Sequence, residues 1–277
     1  MILNPDTISR NSAICFPMFG NLVINPSASV KVFGRDIYLY GILIAIAFLL
    51  AMIWCVHHAK AVFLTSDNVY DVIIWLIPLS ILGARAYYVL FRLDYYLKYP
   101  EEIIQIWEGG LAIYGGIIAG VLVIFLTAKR KHFSALSMLD LIAPACMLGQ
   151  AIGRWGNFMN REAYGSVTDI FCRMGLQMNN GEFIYVHPTF LYESLWNLIG
   201  FCFLGNFISN GKRKYHGQCA LLYFLWYGLG RVWIEGLRTD SLMLGNTGIR
   251  VSQLLSLFLA FTAAILLILN RRRYETD

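Results

Sequence analysis

The segment 153–165 holds the residues of this sequence that are best suited to chemistry. It follows an apolar run, 139–152, that is typical of a membrane helix, so it brings polar side chains to the membrane edge. Within nine residues it delivers an arginine, two amides and a carboxylate: Arg154, Asn157, Asn160 and Glu162. Charge is expensive to place in or beside a membrane, and this density of polar groups therefore indicates a functional site. The structural alternative is that Arg154 only extends toward water and that the asparagines cap a turn.

A second polar set lies further along the chain, at Tyr227, Arg231, Glu235 and Arg238. Spacings of four, four and three residues place these side chains on one face of a helix. With Arg154, the two arginines of this set predict an anion site, because guanidinium binds phosphate in a bidentate way and stays charged where water is scarce. The natural anion at that depth is a phospholipid headgroup. The alternative is that Glu235 forms an ion pair that only fixes helix packing.

Other kinds of chemistry find little support in the sequence. It contains no GxxxxGK[ST], GxSxG or HExxH motif and no Asp-rich metal motif, so nucleotide, serine-hydrolase and metal chemistry are not indicated. The six cysteines show neither a CxxC spacing nor a pairing with histidine, and we predict no metal, cofactor or disulfide framework. The net charge of +5 sits in short clusters rather than along a stripe, which argues against a nucleic-acid partner.

Composition predicts the architecture that must position these residues. The chain of 277 residues is 58% hydrophobic and 14% charged, with a mean hydropathy of +0.58, which is far more apolar than a soluble domain. The first thirty residues lack the layout of a cleavable signal peptide. Seven segments approach the ~20 residues that a bilayer requires: 37–56, 69–91, 111–128, 138–152, 189–209, 218–234 and 251–270. We therefore predict an all-α polytopic membrane protein with seven transmembrane helices in a single integral membrane domain, 1–277.

The basic residues predict how these spans are oriented. Lys60 and the clusters 129–131, 212–214 and 271–273 follow spans one, three, five and seven, so all four lie on one side of the membrane. That side is predicted to be cytoplasmic, which places the N-terminus outside and the C-terminus inside. The loop 154–188 then forms a small extracytoplasmic head between helices four and five. Turn residues and alternation around 183–186 predict a short hairpin within this head.

Four ordered motifs resemble those of the bacterial phosphatidylglycerol–prolipoprotein diacylglyceryl transferases. The segment 153–165 is similar to the family signature G-R-x-G-N-F-x-N-x-E-x-x-G, and Gly83-Ala84-Arg85 is similar to its G-x-R. The segment 187–193 matches H-P-x-x-L-Y-E, and 227–238 matches Y-G-x-x-R-x-x-x-E-x-x-R. Tyr40-Gly41 resembles the tyrosine-glycine of the first span, and the likeness runs from Tyr40 onward over most of the chain.

The resemblance implies a reaction, its partners and a location. The sn-1,2-diacylglyceryl group of phosphatidylglycerol would pass to the thiol of a lipobox cysteine in the signal peptide of a prolipoprotein, forming a thioether and releasing glycerol-1-phosphate. This is the first step of bacterial lipoprotein maturation. The enzyme would be a multi-pass protein of the bacterial cytoplasmic (inner) membrane, surrounded by membrane lipids, with its active site toward the extracytoplasmic leaflet.

The resemblance and the chemistry of each side chain together imply roles. Arg154 and Arg231 would hold the phosphate, while Glu162 would orient an arginine. Asn157 and Asn160 would position the headgroup or the loop. Four residues would bind the lipid substrate beside them: Tyr40, Tyr227, Gly165 and Arg238. Three residues would support the geometry of the site: Arg85, Glu235 and His187, the last also being a candidate cap for the start of span five.

One position departs from the pattern that many family members show. Where they carry G-G-x-x-x-H-G-G, with a histidine proposed as general base, this chain has Tyr114. A tyrosine with a pKa near 10 would need a large downward shift to act as a base at neutral pH. Three interpretations stay open: a phenolate assisted by arginine, a hydrogen-bonding role with the base elsewhere, or a thiol activated by the positive field alone.

Two other classes of protein compete with the enzyme. A transporter or lipid-binding protein without chemistry would line an anion pathway with its arginines, but the polar residues cluster toward one side and no inverted repeat is visible. A structural or chaperone-like membrane subunit would have little use for an arginine cluster.

Overall fold

The computed structural model describes residues 8, 12–239, 243, 247 and 250–276, with the side chains of 32 and 272–276 left undescribed. Helices dominate these residues. In chain order they are α1 (Leu39–His58), α2 (Ser66–Leu90), the short α3 (Leu93–Tyr96), α4 (Ile113–Lys131), α5 (Ala135–Asn160), α6 (Thr189–Ser209), α7 (Gln218–Leu237) and α8 (Val251–Thr276). Each of the seven predicted spans coincides with one long helix.

Among the described residues, five helical stretches are long and apolar enough to cross a membrane: Leu39–Val62, Ser66–Leu90, Ile113–Lys131, Ala135–Asn160 and Val251–Arg271. The helices α6 and α7 contain 21 and 20 residues, so they are long enough to span a membrane. Their combination of hydropathy and charged residues, however, does not qualify them as the other five qualify. The polytopic membrane architecture is thus supported, while the count of seven spans and their orientation stay predictions.

The predicted boundary between the fourth span and the head differs from the structure. The polar residues after 152 suggested that the helix ends there, yet α5 continues to Asn160. Arg154, Asn157 and Asn160 therefore lie on its last turns, at a spacing of three that gives them a common face. The segment between α5 and α6 begins at 161 rather than at 154.

The segment between α5 and α6 forms a sheet of four antiparallel strands together with the N-terminal residues. Its strands are β1 (Ile14–Phe16), β2 (Leu22–Ile24), β5 (Met174–Gln177) and β6 (Phe183–Val186), in the order β2-β1-β5-β6. The predicted hairpin is confirmed by the pairing of β5 with β6, in which Met174 faces Val186. The two N-terminal strands were not predicted. Ile14, Leu176 and Val186 are fully buried and pack with Phe158 and Phe190, so the sheet is seated on the ends of α5 and α6.

The structure also contains a second sheet, of two strands, so the predicted all-α fold class is incomplete. β3 (Ser29–Val32) and β4 (Arg35–Tyr38) form a hairpin that leads directly into α1. The N-terminal residues were assigned no structure from the sequence because three- and four-residue strands leave only a short period-2 pattern.

The chain divides into two compact units. The first comprises residues 1–54 and 142–277, and the second comprises 55–141. In the second unit α2 and α4 approach closely: a Cβ built on Gly83 would lie 2.8 Å from the carbonyl oxygen of Gly115. In the first unit α6 and α7 are joined by reciprocal indole bonds, since each of Trp196 and Trp226 donates its ring N–H to the other's carbonyl oxygen, at 3.0 and 3.1 Å.

Candidate active site

A buried glutamate on α6 organises the arginines of the first unit. Glu193 is 5% exposed and its carboxylate accepts from three guanidinium groups. Its Oε2 lies 2.5 Å from Nη2 of Arg154, and its Oε1 lies 3.1 Å from Nη1 of Arg231 and 3.5 Å from Nη1 of Arg238. The structure therefore brings the three predicted arginines together from α5, α7 and the residue that follows α7.

Glu235 provides the second carboxylate of this cluster. Its Oε2 lies 2.7 Å from Nη2 of Arg231, one helical turn earlier, and its Oε1 accepts a bond of 2.6 Å from the hydroxyl of Ser252 on α8. Glu235 thus ties Arg231 to α8. Its supporting role in the site stays a prediction, as does the alternative that its ion pair only fixes helix packing.

Arg238 is positioned by backbone rather than by helix geometry. It follows the last residue of α7 and has an extended conformation, with φ −75° and ψ 148°. An isolated β-bridge pairs it with Gly165, and the N–H of Gly165 donates to the carbonyl of His187 at 3.0 Å. A Cβ on Gly165 would lie 2.6 Å from the Cβ of His187, so the position needs glycine for close packing. The structure gives Gly165 this packing role, and its predicted contact with substrate stays untested.

Arg154 also belongs to a chain of polar contacts at the end of α5. Its Nη1 donates to Oδ1 of Asn157 at 3.2 Å, and Asn157 in turn donates to Oε1 of Glu162 at 2.8 Å. The amide of Asn160 reaches the same carboxylate oxygen at 3.3 Å. Glu162 therefore orients two asparagines. It was predicted to orient an arginine, and in the structure it does so through Asn157, which accepts from Arg154.

The tyrosines predicted to bind lipid lie on two different helices. Tyr40, in the first turn of α1, packs against α5 at Gly156, where any Cβ would overlap the tyrosine ring. Tyr227, on α7, stacks on Tyr223 with ring centroids 5.8 Å apart. It also lies one helical turn before Arg231, on the same face of α7. Both tyrosines thus border the arginine cluster or the helix that carries it.

His187 lies between the sheet and α6 but does not cap the helix. Pro188 occupies the N-cap position and no side chain caps it. The His187 ring lies instead beside Tyr192, with Nδ1 3.4 Å from the tyrosine hydroxyl. Burial lowers the pKa of the imidazole below its usual value of 6.5, which favours the neutral ring. Its support for the site runs through the backbone bond to Gly165.

Arg161 is a buried residue of the motif whose role was not predicted. It has φ +54° and its guanidinium donates to the carbonyls of Ser12 and Met159 and to Oδ1 of Asn25. These bonds attach the N-terminal segment to the end of α5.

Arg85 and Tyr114 belong to the second unit. Arg85 is buried and donates to four backbone carbonyls of the loop before α4, those of Glu102, Ile103, Gly109 and Gly110, at 2.5 to 3.1 Å. It supports the geometry of this loop through the carbonyl oxygens. Tyr114 lies in the first turn of α4 and is 48% exposed.

Glu193 was missed as a site residue, although the signal for it was present. A carboxylate within an otherwise apolar span must find compensation, and Glu193 lies in the quoted segment 187–193. Its number of partners depends on how α5, α6 and α7 pack, which a single sequence does not show.

The cluster has the electrostatics of an anion site. Three arginines face two glutamates, which leaves one net positive charge in a buried setting. In the bonds described, Arg154 uses two of the five N–H donors of a guanidinium, so it has donors for a further anion. Helices of membrane length that carry this cluster define an integral membrane protein with a buried cluster of arginines and glutamates.

Comparisons with known proteins identify the family. The family model described as prolipoprotein diacylglyceryl transferase matches residues 28–269. Proteins named phosphatidylglycerol–prolipoprotein diacylglyceryl transferase are similar to this chain in Finegoldia magna (45% identical, covering 88% of this chain and 95% of the relative), Limosilactobacillus reuteri (44%, 86% and 88%) and Streptococcus mutans (43%, 91% and 97%). The chain belongs to the prolipoprotein diacylglyceryl transferase family.

Proposed function

We propose that this protein transfers the sn-1,2-diacylglyceryl group of phosphatidylglycerol to the lipobox cysteine of prolipoproteins. The cysteine sulfur forms a thioether with the glyceryl carbon that carries the phosphate ester. The bond between that carbon and the ester oxygen breaks, glycerol-1-phosphate leaves, and the thiol proton is lost. The observation that carries the proposal is the cluster of Arg154, Arg231 and Arg238 around Glu193, in a chain of this family.

The cluster suits the charge that this reaction develops. The phosphate diester of the substrate carries one negative charge, and the departing phosphate monoester carries more. Arg154 and Arg231, held in place by Glu193 and Glu235, would bind the phosphate oxygens and stabilise the leaving group. Asn157 and Asn160, oriented by Glu162, would position the headgroup beside them. Arg238, Tyr40 and Tyr227 would contact the lipid around it.

The proposed orientation places this chemistry in the outer leaflet. Basic clusters lie at the end of α4, after α6 and at the end of α8, and positive residues favour the cytoplasm. With seven spans the opposite ends of these helices, including the Arg154 end of α5, face outward. Both substrates are anchored in the membrane there.

Transfer of radiolabel from phosphatidylglycerol to a lipobox peptide, with the protein in liposomes, tests the proposal. Wild-type protein should label the peptide, and a peptide with serine in place of the lipobox cysteine should stay unlabelled. A correctly inserted protein that binds phosphatidylglycerol without transferring label would instead be a lipid-binding or transport protein.

The same assay tests position 114. If Tyr114 accepts the thiol proton as a phenolate, Tyr114→Phe should lose transfer and Tyr114→His should restore it, with a pH profile moved toward the lower pKa of imidazole. Retained activity in Tyr114→Phe would exclude this role and favour activation of the thiol by the arginines' field.

A further inference from the structure

The hairpin of β3 and β4 exposes several apolar side chains. Phe33, at its tip, is fully exposed, and Val30, Ile37 and Tyr38 are 46%, 40% and 58% exposed. The turn itself is unusual. Phe33 has φ +50° and Gly34 has φ +78°, as a two-residue hairpin turn of the primed kind requires. A bulky residue is disfavoured in this conformation, so the tip holds phenylalanine against a local preference.

The register of the hairpin separates its side chains into two faces. Val30 lies opposite Ile37, and Lys31 lies opposite Asp36. Directly opposite residues share a face and successive residues alternate, so Val30 and Ile37 share one face with Arg35 near the turn, while Lys31 and Asp36 share the other with Tyr38 near α1. The apolar face of the ribbon, formed by Val30 and Ile37, is open to its surroundings and carries the charge of Arg35 at its outer end.

The base of this ribbon is fixed at the end of a membrane helix. β4 ends at Tyr38 and α1 begins at Leu39, whose N–H donates to the carbonyl of Ala28 at 2.9 Å. Four-residue strands extend about 13 Å, whereas the headgroup layer on each side of a bilayer is only about 5–8 Å deep. An upright ribbon would therefore carry Phe33 into water, while a tilted ribbon would place Phe33, Val30 and Ile37 within the interface.

We propose that the β3–β4 hairpin is an interfacial anchor that lies on the bilayer surface with Phe33 inserted at the boundary between headgroups and acyl chains. The occupant of its apolar face is the lipid leaflet in which α1 begins. Lys31 and Arg35 are both exposed and outnumber Asp36, which suits a surface of anionic phospholipid. This role goes beyond the transfer reaction. It also fixes the depth of Tyr40, which follows the hairpin by two residues and packs on Gly156.

A single fluorine label tests the anchor without disturbing the fold. Trifluoromethylphenylalanine is installed at position 33 of the full chain, and ¹⁹F spectra are recorded in nanodiscs of phosphatidylglycerol that hold one protein each. A water-soluble gadolinium chelate and a lipid carrying a nitroxide near its glycerol backbone are then added separately. Phe171, which is 79% exposed on the loop before β5, receives the same label in a matched control.

The label at position 33 should be broadened by the lipid nitroxide and relaxed several-fold less by the aqueous chelate than the label at position 171. Strong relaxation of position 33 by the aqueous chelate would overturn the proposal. Shielding that appears only after a lipobox peptide is added would also overturn it, because the peptide rather than the bilayer would then be the occupant. One protein per disc prevents a second copy from producing the shielding.

Discussion

At the scale of single residues, one carboxylate sets the charge of the site. Glu193 divides its two oxygens among three arginines that would otherwise repel one another in a buried setting. A buried ion pair adds little net stability against an apolar replacement, but removal of one partner leaves uncompensated charge. The cluster is better explained as a site that keeps guanidinium groups in place for an anion than as a device for stability.

Glu193→Gln should therefore damage both fold and function. The change preserves shape but removes the charge that holds Arg154, and loss of one partner from a buried pair costs about 3–5 kcal/mol. Thermal unfolding in phosphatidylglycerol nanodiscs and the transfer assay measure the two effects. Asp71→Asn is the matched control, since Asp71 pairs with Lys131 at 2.9 Å where both side chains reach water, and such pairs contribute about 0–1 kcal/mol. Equal effects of the two changes would contradict the role of Glu193.

His187 predicts a dependence of stability on pH. Its pKa is lowered in the folded protein, so the unfolded chain binds more protons as pH falls below about 6.5. The contribution of the neutral ring is present above that pH and is lost as the pH falls through the folded pKa. The unfolding temperature should decline between pH 7 and pH 5, and the decline should be smaller in His187→Gln. An identical decline in both proteins would show that other groups cause it.

At the scale of elements, α5 and α1 meet through a glycine. α5 presents Arg154, Asn157 and Asn160 on one face, and Gly156 leaves the space that the ring of Tyr40 fills. The predicted spans located both helices, although α5 continues past the predicted end at 152, because apolar runs of this length are strong signals. Their contact depends on tertiary packing, which the periodicity of a single chain does not specify.

Gly156→Ala should displace Tyr40 and reduce transfer, since the added Cβ would overlap the tyrosine ring. Gly149→Ala, on the same helix, is the matched control because no atom lies within 4 Å of its added Cβ. That change should stabilise the helix by about 0.5–1 kcal/mol, the usual preference for alanine. The transfer rate and the unfolding temperature are measured for both variants. Wild-type transfer by Gly156→Ala would mean that the position of Tyr40 does not affect the reaction.

At the scale of the whole molecule, sequence patterns predicted more of the helices than of the strands. The hairpin of β5 and β6 was recognised from its alternation, but its pairing with β1 joins residues more than 150 positions apart. The same limit applied to Glu193, whose three partners come from different parts of the chain. The polar residues of the motifs could be recognised from the sequence because they occur close together along the chain. Their contacts with one another are defined only once the helices are packed in three dimensions.

The division into two units separates two buried arginine sites. Arg85 in the second unit binds backbone carbonyls, while the arginines of the first unit bind carboxylates. Carbonyl bonds fix a loop, whereas a cluster with net positive charge is suited to an anion. The central claim is therefore that the Glu193 cluster, rather than any exposed arginine, binds the phosphate during transfer.

The most direct measurement is the single-turnover rate of diacylglyceryl transfer in Arg154→Ala and Arg231→Ala, compared with Arg92→Ala. Arg92 lies over the ring of Tyr88 in the second unit, and its removal costs the same charge outside the cluster. Each cluster variant should lose about 10²–10³-fold in rate, the usual effect of removing one donor from a developing oxyanion, and Arg92→Ala should stay near wild type. Near wild-type transfer by a folded Arg154→Ala or Arg231→Ala protein would contradict the account.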